Sequence, residues 1–149
     1  MLIVREYRFE DLLIMPPRDS ELDVAKAELE TPEIFANRAS GPAHTICLPC
    51  AKQTPVLCAG IIIFQPGVGE AWVRGSLHMQ HLGISLARTV KRWFDAAMLD
   101  RGLHRVQVTV RCTDKVAYRF AQFIGFGREG IMRQLSADKA DFYMMARIN

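Results

Sequence analysis

The residues best suited to bind a charged ligand form one turn, Gln80-His81-Leu82-Gly83-Ile84-Ser85, which leads directly into an amphipathic helix. A glycine turn at the start of a helix presents backbone N–H groups outward, and the helix dipole adds partial positive charge. A strand-like stretch, residues 70–74, precedes the turn, and a second apolar strand, residues 106–110, follows the helix. This order is typical of sites that hold the phosphates of a nucleotide or coenzyme, although most glycine turns before helices bind nothing.

The four cysteines do not form a metal-binding pattern. Cys47 and Cys50 make a lone Cys-X-X-Cys, and no second Cys or His pair has matching spacing. A closed zinc site needs four ligands, so we expect no metal. Cys47, Cys58 and Cys112 lie in apolar, strand-like contexts, which favours buried, reduced cysteines in a cytoplasmic protein.

Length, composition and charge narrow the class of protein further. The 149 residues fit one domain, residues 1–149, in which 50% of the residues are hydrophobic and 23% are charged. A net charge of +3 does not favour a nucleic-acid partner. No apolar run approaches about 20 residues and no signal peptide is evident, so we expect no membrane partner. The oligomeric state stays open, with a homodimer among the alternatives.

Hydrophobic periodicity and turn residues predict one α/β (α+β) domain whose sheet is mixed and mainly antiparallel, with helices on both faces and the order β-αα-βββ-α-β-α-ββ. The predicted strands are residues 2–7, 43–49, 55–64, 70–74, 106–110, 130–135 and 142–148. The predicted helices are a short turn over residues 10–15, a helix capped by Ser20, a restart at Thr31-Pro32-Glu33, a helix over residues 85–100 and a last helix capped by Thr113 or Asp114.

Three finer expectations follow from these patterns. The run from Cys58 to Ile63 is apolar on both faces and should lie in mid-sheet. The strands on either side of the helix over residues 85–100 should be parallel, because a helical crossover joins them. The apolar face of the last helix is expected to carry Val116, Phe120, Phe123 and Ile124.

The order of elements, with the glycine turn after the fourth strand, resembles the GNAT superfamily of N-acetyltransferases over nearly the whole chain. In that family the turn reads Arg/Gln-X-X-Gly-X-Gly/Ala and holds the pyrophosphate of coenzyme A. Gln80 and Gly83 match this pattern, and Ser85 stands where Gly or Ala is usual.

A second family signature is a last helix that ends in an aromatic stretch and Gly-Phe. Ala117, Phe120 and the pair Gly125-Phe126 match it. Within the superfamily the chain is most similar to the short GNAT-like proteins of tailed phages and prophages.

The resemblance implies an acetyl-CoA-dependent N-acetyltransferase, with acetyl-CoA as co-substrate and an amine of a small molecule or protein as acceptor. It implies that the coenzyme contacts a set of residues near the turn and at the start of the last helix. These residues are Gly75, Ser76, Gln80, His81, Leu82, Gly83, Ile84, Ser85 and Asp114.

The resemblance also indicates candidates for proton transfer. Glu70 is the best-placed base, directly or through water, although a solvated carboxylate at the edge of a strand explains it as well. Family enzymes often place a tyrosine acid four residues before the Gly of Gly-Phe, where this chain has Ala121. Tyr118, three residues earlier, lies on a neighbouring helix face, and Tyr118 and solvent are the remaining candidates for the acid.

Ala121 keeps a second class of function open. The alternative is a catalytically weak or inactive GNAT-like phage or prophage protein, with a virion-structural or host-interaction role and a place in the virion. A fold does not carry its chemistry with it.

Overall fold

A computed structural model describes residues 1–149. Its strands form one seven-stranded sheet in the order β1-β2-β3-β4-β5-β7-β6. The strands are β1 (Ile3–Glu6), β2 (Ala43–Cys47), β3 (Pro55–Gln65), β4 (Val68–Gly75), β5 (Arg105–Arg111), β6 (Gly127–Met132) and β7 (Phe142–Ile148). The α-helices are α1 (Phe9–Ile14), α2 (Leu22–Glu30), α3 (Gly83–Asp100) and α4 (Lys115–Phe123), and 3₁₀ helices cover Asp19–Glu21, Pro32–Ala39 and Leu77–His81.

Contacts divide the chain into two compact units. The first comprises Met1–Ile63 and Ala71–Leu86, and the second comprises Phe64–Glu70 and Ala87–Asn149. The single domain over residues 1–149 therefore stays a prediction, and each unit is described by itself.

The core of the first unit is built on β3. This strand pairs antiparallel with β2, which pairs antiparallel with β1. Every residue of β3 from Pro55 to Ile61 is buried, and Ile62 and Ile63 are half-buried. The prediction of an apolar strand in mid-sheet is confirmed, because β3 has a neighbouring strand on each side. Cys58 packs with Trp72, Leu12 and Met15.

The second unit holds the parallel pair of strands. Val68, Gly69 and Glu70 of β4 lie opposite Arg105, Val106 and Gln107 of β5, in parallel. This confirms the predicted crossover around α3. β5 and β6 each pair antiparallel with β7. Edge-to-face packing of Phe94 on Phe126, with ring centroids 5.8 Å apart, fills the core.

Several element boundaries differ from the prediction. The segment after Thr31 forms a 3₁₀ helix, with i to i+3 bonds such as Ser40 N–H to the Asn37 carbonyl at 3.0 Å. Its only buried side chain is Arg38, so little apolar packing favours an α-helix there. β6 begins at Gly127, three residues before the predicted start, because the turn into it is complete at Gly125, whose φ is +104°.

The predicted apolar face of α4 is wrong at two of its four residues. Val116 is 58% exposed and Phe123 is 42% exposed, whereas Ala121 and Ile124 are buried. The buried face of α4 runs through positions that carry alanine. The larger apolar side chains therefore do not show which face of the helix is buried. Neither α4 nor any other helix is long and apolar enough to cross a membrane.

Candidate coenzyme-binding segment

The end of β4 leads into a tight turn that begins at Ser76. The Ser76 hydroxyl accepts a hydrogen bond from the His78 N–H at 3.1 Å and so caps the 3₁₀ helix Leu77–His81. Its own N–H donates to the Val56 carbonyl at 2.9 Å. Ser76 is fully buried, which means that its polar groups are used inside the fold. Its predicted contact with the coenzyme stays a prediction.

The next residues open towards solvent. Gln80 and His81 are exposed at the end of the 3₁₀ helix, and Leu82 is half-buried. Gly83 has a φ of +48°, and a Cβ built on it would meet no atom within 4 Å. Glycine is favoured at such a φ because an L side chain is strained there. α3 thus begins two residues earlier than predicted, at Gly83, while Ile84 and Ser85 are exposed in its first turn.

This segment meets the requirements of an anion site. The first turn of a helix leaves N–H groups without partners inside the helix, and only the Ser85 N–H turns back, to the Leu82 carbonyl at 3.2 Å. Residues 71–94 contain no Asp or Glu. Open space at Gly83, exposed residues in the first turn of α3 and the absence of acidic residues from the adjoining sequence are compatible with a bound pyrophosphate.

A buried cluster of charges fixes the strand that leads into this segment. Arg74, on β4, is 1% exposed. Its Nε donates to Glu28 at 2.9 Å and 3.2 Å, and its Nη1 donates to Glu21 at 3.0 Å. Arg38 donates to Glu28 at 3.0 Å. These four residues, here named the Arg74 cluster, fasten α2 to the end of β4.

The Arg74 cluster holds the Gly75 peptide groups directly. Arg74 Nη1 donates to the Gly75 carbonyl at 3.1 Å, and the Gly75 N–H donates to Glu21 Oε1 at 3.4 Å. The Arg18 guanidinium lies 3.8 Å from the same Glu21 oxygen. Burial raises the pKa of Glu21 above its usual value, and the neighbouring Arg74 and Arg18 only partly offset this.

The loop between α1 and α2 is fastened to the same place. Pro17 forms a β-bridge with Ser76, and the Leu77 N–H donates to the Pro16 carbonyl at 3.0 Å. A Cβ on Gly75 would lie 2.3 Å from the Met79 sulfur, which leaves room only for glycine unless Met79 moves. The path of the chain through Gly75 and Ser76 is therefore closely determined.

The sequence did not indicate the Arg74 cluster. Its partners are 46 and 53 residues away from Arg74 in the chain, so no local pattern connects them. One signal was present: Arg74 follows the buried Trp72 by two residues, and alternate residues of a strand share a face. A charge on a buried strand face requires a partner.

The predicted proton-transfer residues and Asp114 lie in the second unit, whereas the segment from Gly75 to Ser85 lies in the first. Glu70 is exposed and stands opposite Gln107. Tyr118 is half-buried, with its ring centroid 5.1 Å from that of Tyr143. The Asp114 side chain accepts from the Ala117 N–H at 3.0 Å, which confirms it as the cap of α4. The catalytic and coenzyme roles of these residues stay predictions.

Ala121 is 5% exposed and faces the core of the second unit. It lies one helical turn after Ala117 and close to Tyr118 on α4. The position at which family enzymes often carry a tyrosine is thus filled by a small core side chain.

A cavity in the first unit lies apart from the predicted site. Its volume is about 380 Å³, and none of residues 75–86 lines it. The lining residues are Tyr7, Phe9, Pro32, Glu33, Phe35, Ala36 and Ala39.

The other reactive groups offer no metal site. Cys47 and Cys58 are buried, Cys50 is exposed, and all four cysteines are free thiols. Burial raises the pKa of Cys58 to about 12 and lowers that of His44 to about 3, so both are neutral near pH 7. No group of three His, Cys, Asp or Glu side chains is arranged to hold a metal ion.

The fold is that of known acetyltransferases. A GNAT-family acetyltransferase from Streptococcus pneumoniae matches with a TM-score of 0.69 at 18% identity, covering 100% of each chain. The ribosomal-protein-S5-alanine acetyltransferase from Vibrio fischeri matches at 0.70 and 14% identity, covering 99% of this chain and 93% of its own. A spermidine N-acetyltransferase chimera, from Vibrio cholerae and a second source, matches at 0.71 and 14% identity, covering 99% and 95%.

Sequence comparison adds nothing to this likeness, since no family model and no curated protein matches the chain. At these identities the matches show the fold. They confirm the predicted mixed, mainly antiparallel sheet with its helices, which is the GNAT fold.

Proposed function

We propose that this chain is an acetyl-CoA-dependent N-acetyltransferase that transfers acetyl to an amine of a small molecule or a protein. The observation that carries the proposal is the open Gly83 turn at the start of α3, which follows β4 and the 3₁₀ helix Leu77–His81, in a chain with the GNAT fold throughout. Among the acetyltransferases of this fold, one is named for spermidine and one for a ribosomal protein. We therefore leave both acceptor classes within the proposal.

The exposed segment would bind the coenzyme. The N–H groups at Gly83 and Ile84 would donate to the pyrophosphate, and the side chains of Gln80 and Ser85, both exposed residues, would add hydrogen bonds. The coenzyme supplies an acetyl group activated as a thioester. The other predicted contacts are with Gly75, Ser76, His81, Leu82 and Asp114. The Ser76 hydroxyl already accepts a hydrogen bond from the His78 N–H, so Ser76 would contribute by fixing the path of the chain.

Proton transfer would fall to residues of the second unit. Glu70 would take a proton from the acceptor amine, directly or through water, and its exposure keeps water within reach. The nitrogen then forms its bond to the acetyl carbon as the carbon–sulfur bond breaks. The departing thiolate takes a proton from Tyr118 or from solvent. A thiol has a pKa of about 8.5, so its thiolate is a tolerable leaving group without a dedicated acid.

Buried Ala121 favours a second candidate. In that candidate the chain keeps the GNAT fold and has little or no activity, with a virion-structural or host-interaction role of the kind that the phage likeness of the sequence suggests. Both candidates retain the fold, so only activity separates them.

An acceptor screen tests the proposal. The protein is mixed with acetyl-CoA and a panel of polyamines, aminoglycosides and basic peptides, and products are detected by the mass of the acetylated amine. The proposal expects an acetylated product that requires both the protein and acetyl-CoA. A folded protein that acetylates no member of a broad panel would support the inactive candidate instead.

A further inference from the structure

Burial limits what the ionised Glu21 carboxylate contributes to the stability of the fold. Because burial raises its pKa, the folded protein binds more protons than the unfolded chain between the two pKa values. The stability contributed at this site therefore decreases as the pH rises through that window, because ionised Glu21 stabilises the fold less than protonated Glu21 does. A role other than stability would explain why a carboxylate occupies the position.

The contacts of Glu21 indicate what that role is. One oxygen accepts the Gly75 N–H at 3.4 Å and lies 3.8 Å from Arg18, and the other accepts from Arg74 at 3.0 Å. Arg74 in turn donates to the Gly75 carbonyl. The peptide groups on both sides of Gly75 are thus oriented by one half-buried carboxylate, 17% exposed at its side chain, and by its partner Arg74, directly before the chain turns into Leu77–His81 and α3.

We propose that Glu21 is a positioning residue, whose ionised carboxylate sets the orientation of Gly75 and so places the segment over residues 80–85 for binding coenzyme A. This role rests on the proposed function. It adds Glu21, which directly precedes α2, to the residues on which coenzyme binding would depend. The groups that face Glu21 are Arg74 from β4, Arg18 from the loop after α1, and the Gly75 N–H. Glu28, from α2, reaches Glu21 only through Arg74.

The test compares coenzyme A binding by calorimetry in the wild type, Glu21→Gln and Glu30→Gln. The amide of the Glu21→Gln variant has the same shape as the carboxylate but no charge, and turns an N–H₂ group or a weaker acceptor towards Arg74. Positioning predicts a Kd about tenfold higher in Glu21→Gln, with a melting temperature equal to or above that of the wild type. Glu30→Gln makes the same change at an exposed residue of α2, 63% exposed at its side chain, and should alter neither quantity.

A pH series separates positioning from a structural role. As the pH falls through the raised pKa of Glu21, protonation of its carboxylate should weaken binding in the wild type. The Glu21 variants differ from the wild type only at residue 21, so the difference between wild type and Glu21→Gln reports Glu21. That difference should vanish at low pH. If Glu21→Gln does not fold, Glu21→Asp retains the charge and should keep the pH dependence with weaker binding.

The possible results are distinct. Equal affinity in the wild type and the Glu21 variants overturns the positioning role and leaves the proposed function standing. A wild type that binds no coenzyme A overturns both proposals. Weaker binding in Glu21→Gln that comes with an equal loss of melting temperature also overturns positioning, because a structural role would account for it.

Discussion

The segment from Gln80 to Ser85 and the residues expected to transfer protons differ in how they are built. The segment is exposed, contains a glycine with a left-handed φ and is preceded by a strand end that a buried charge cluster holds. Of the proton-transfer positions, Glu70 is exposed, Tyr118 packs on Tyr143 and Ala121 belongs to the core.

Coenzyme binding and proton transfer depend on different features of a chain. Binding of a pyrophosphate depends on backbone N–H groups, which many sequences can supply if a glycine permits the turn. Proton transfer depends on particular side chains at particular places, and a single substitution removes one. In this chain the proposed anion-binding turn has its glycine, whereas the proposed acid–base residues lack the tyrosine that family enzymes often carry, because Ala121 stands at that position.

Removal of the candidate base should have the largest effect. Glu70→Gln should lower turnover by about 10²–10⁴-fold at neutral pH, and by less at high pH, where more of the acceptor amine is already neutral. The pH–rate profile measures this. Glu6→Gln, which changes another exposed strand carboxylate, should leave the profile as it is. A Glu70→Gln profile that coincides with the wild type would remove Glu70 from the site.

Removal of the Arg74 side chain at the end of β4 should have the second-largest effect. Arg74→Ala leaves Glu28 and Glu21 without their main partner and should cost about 3–5 kcal/mol of unfolding free energy, measured by urea denaturation. Arg105→Ala breaks a surface pair with Glu129, whose side chain is 44% exposed, and should cost about 0–1 kcal/mol. Equal losses in the two variants would contradict the role given to the Arg74 cluster.

A charge placed in the glycine turn should abolish coenzyme binding. At a ligand concentration about 100 times Kd, acetyl-CoA should stabilise the wild type by about 2.7 kcal/mol, and this gain should disappear in Gly83→Glu. Gly102→Glu is the matched control: Gly102 also has a left-handed φ, +61°, and also has open space around its Cβ. Both variants carry the same backbone strain, so a loss of stabilisation in both would mean that Gly83 has no special part in binding.

The smallest effect is expected at Ala121. Ala121→Tyr places a large ring at a buried position and should cost about 1–3 kcal/mol of stability by thermal denaturation. If the site only lacks its acid, the same variant should acetylate faster than the wild type. No gain in a folded variant, with no activity in either form, would favour the inactive candidate.

Tyr118→Phe completes this comparison, because Tyr118 is the nearest remaining phenol on α4. Turnover should fall if Tyr118 protonates the leaving thiolate. Rapid wild-type turnover that is unchanged in Tyr118→Phe would show that the reaction needs no tyrosine acid.

Patterns within short stretches of the sequence predicted the parts of the fold that depend on residues close together in the chain. The continuous apolar run in β3 and the helical spacing of α3 gave the right elements, and the helical crossover gave the parallel pair of β4 and β5. The inward face of α4 was missed at Val116 and Phe123, since burial there depends on what packs against the helix.

The candidate site was likewise predicted only in part. The Gly83 turn was visible because glycine and helix periodicity are local signals. The Arg74 cluster was not, because its ion pairs join residues that the fold alone brings together. Ser76 shows the same limit: its hydroxyl is committed to the His78 N–H, a contact that no spacing in the sequence indicates.

The central claim is that the Gly83 turn binds acetyl-CoA. Calorimetric titration of the wild-type protein with acetyl-CoA tests this most directly. We expect saturable binding of one coenzyme per chain, absent in Gly83→Glu and retained in Gly102→Glu. A wild-type protein that melts cooperatively and yet gives no binding heat or thermal shift at millimolar acetyl-CoA would contradict it.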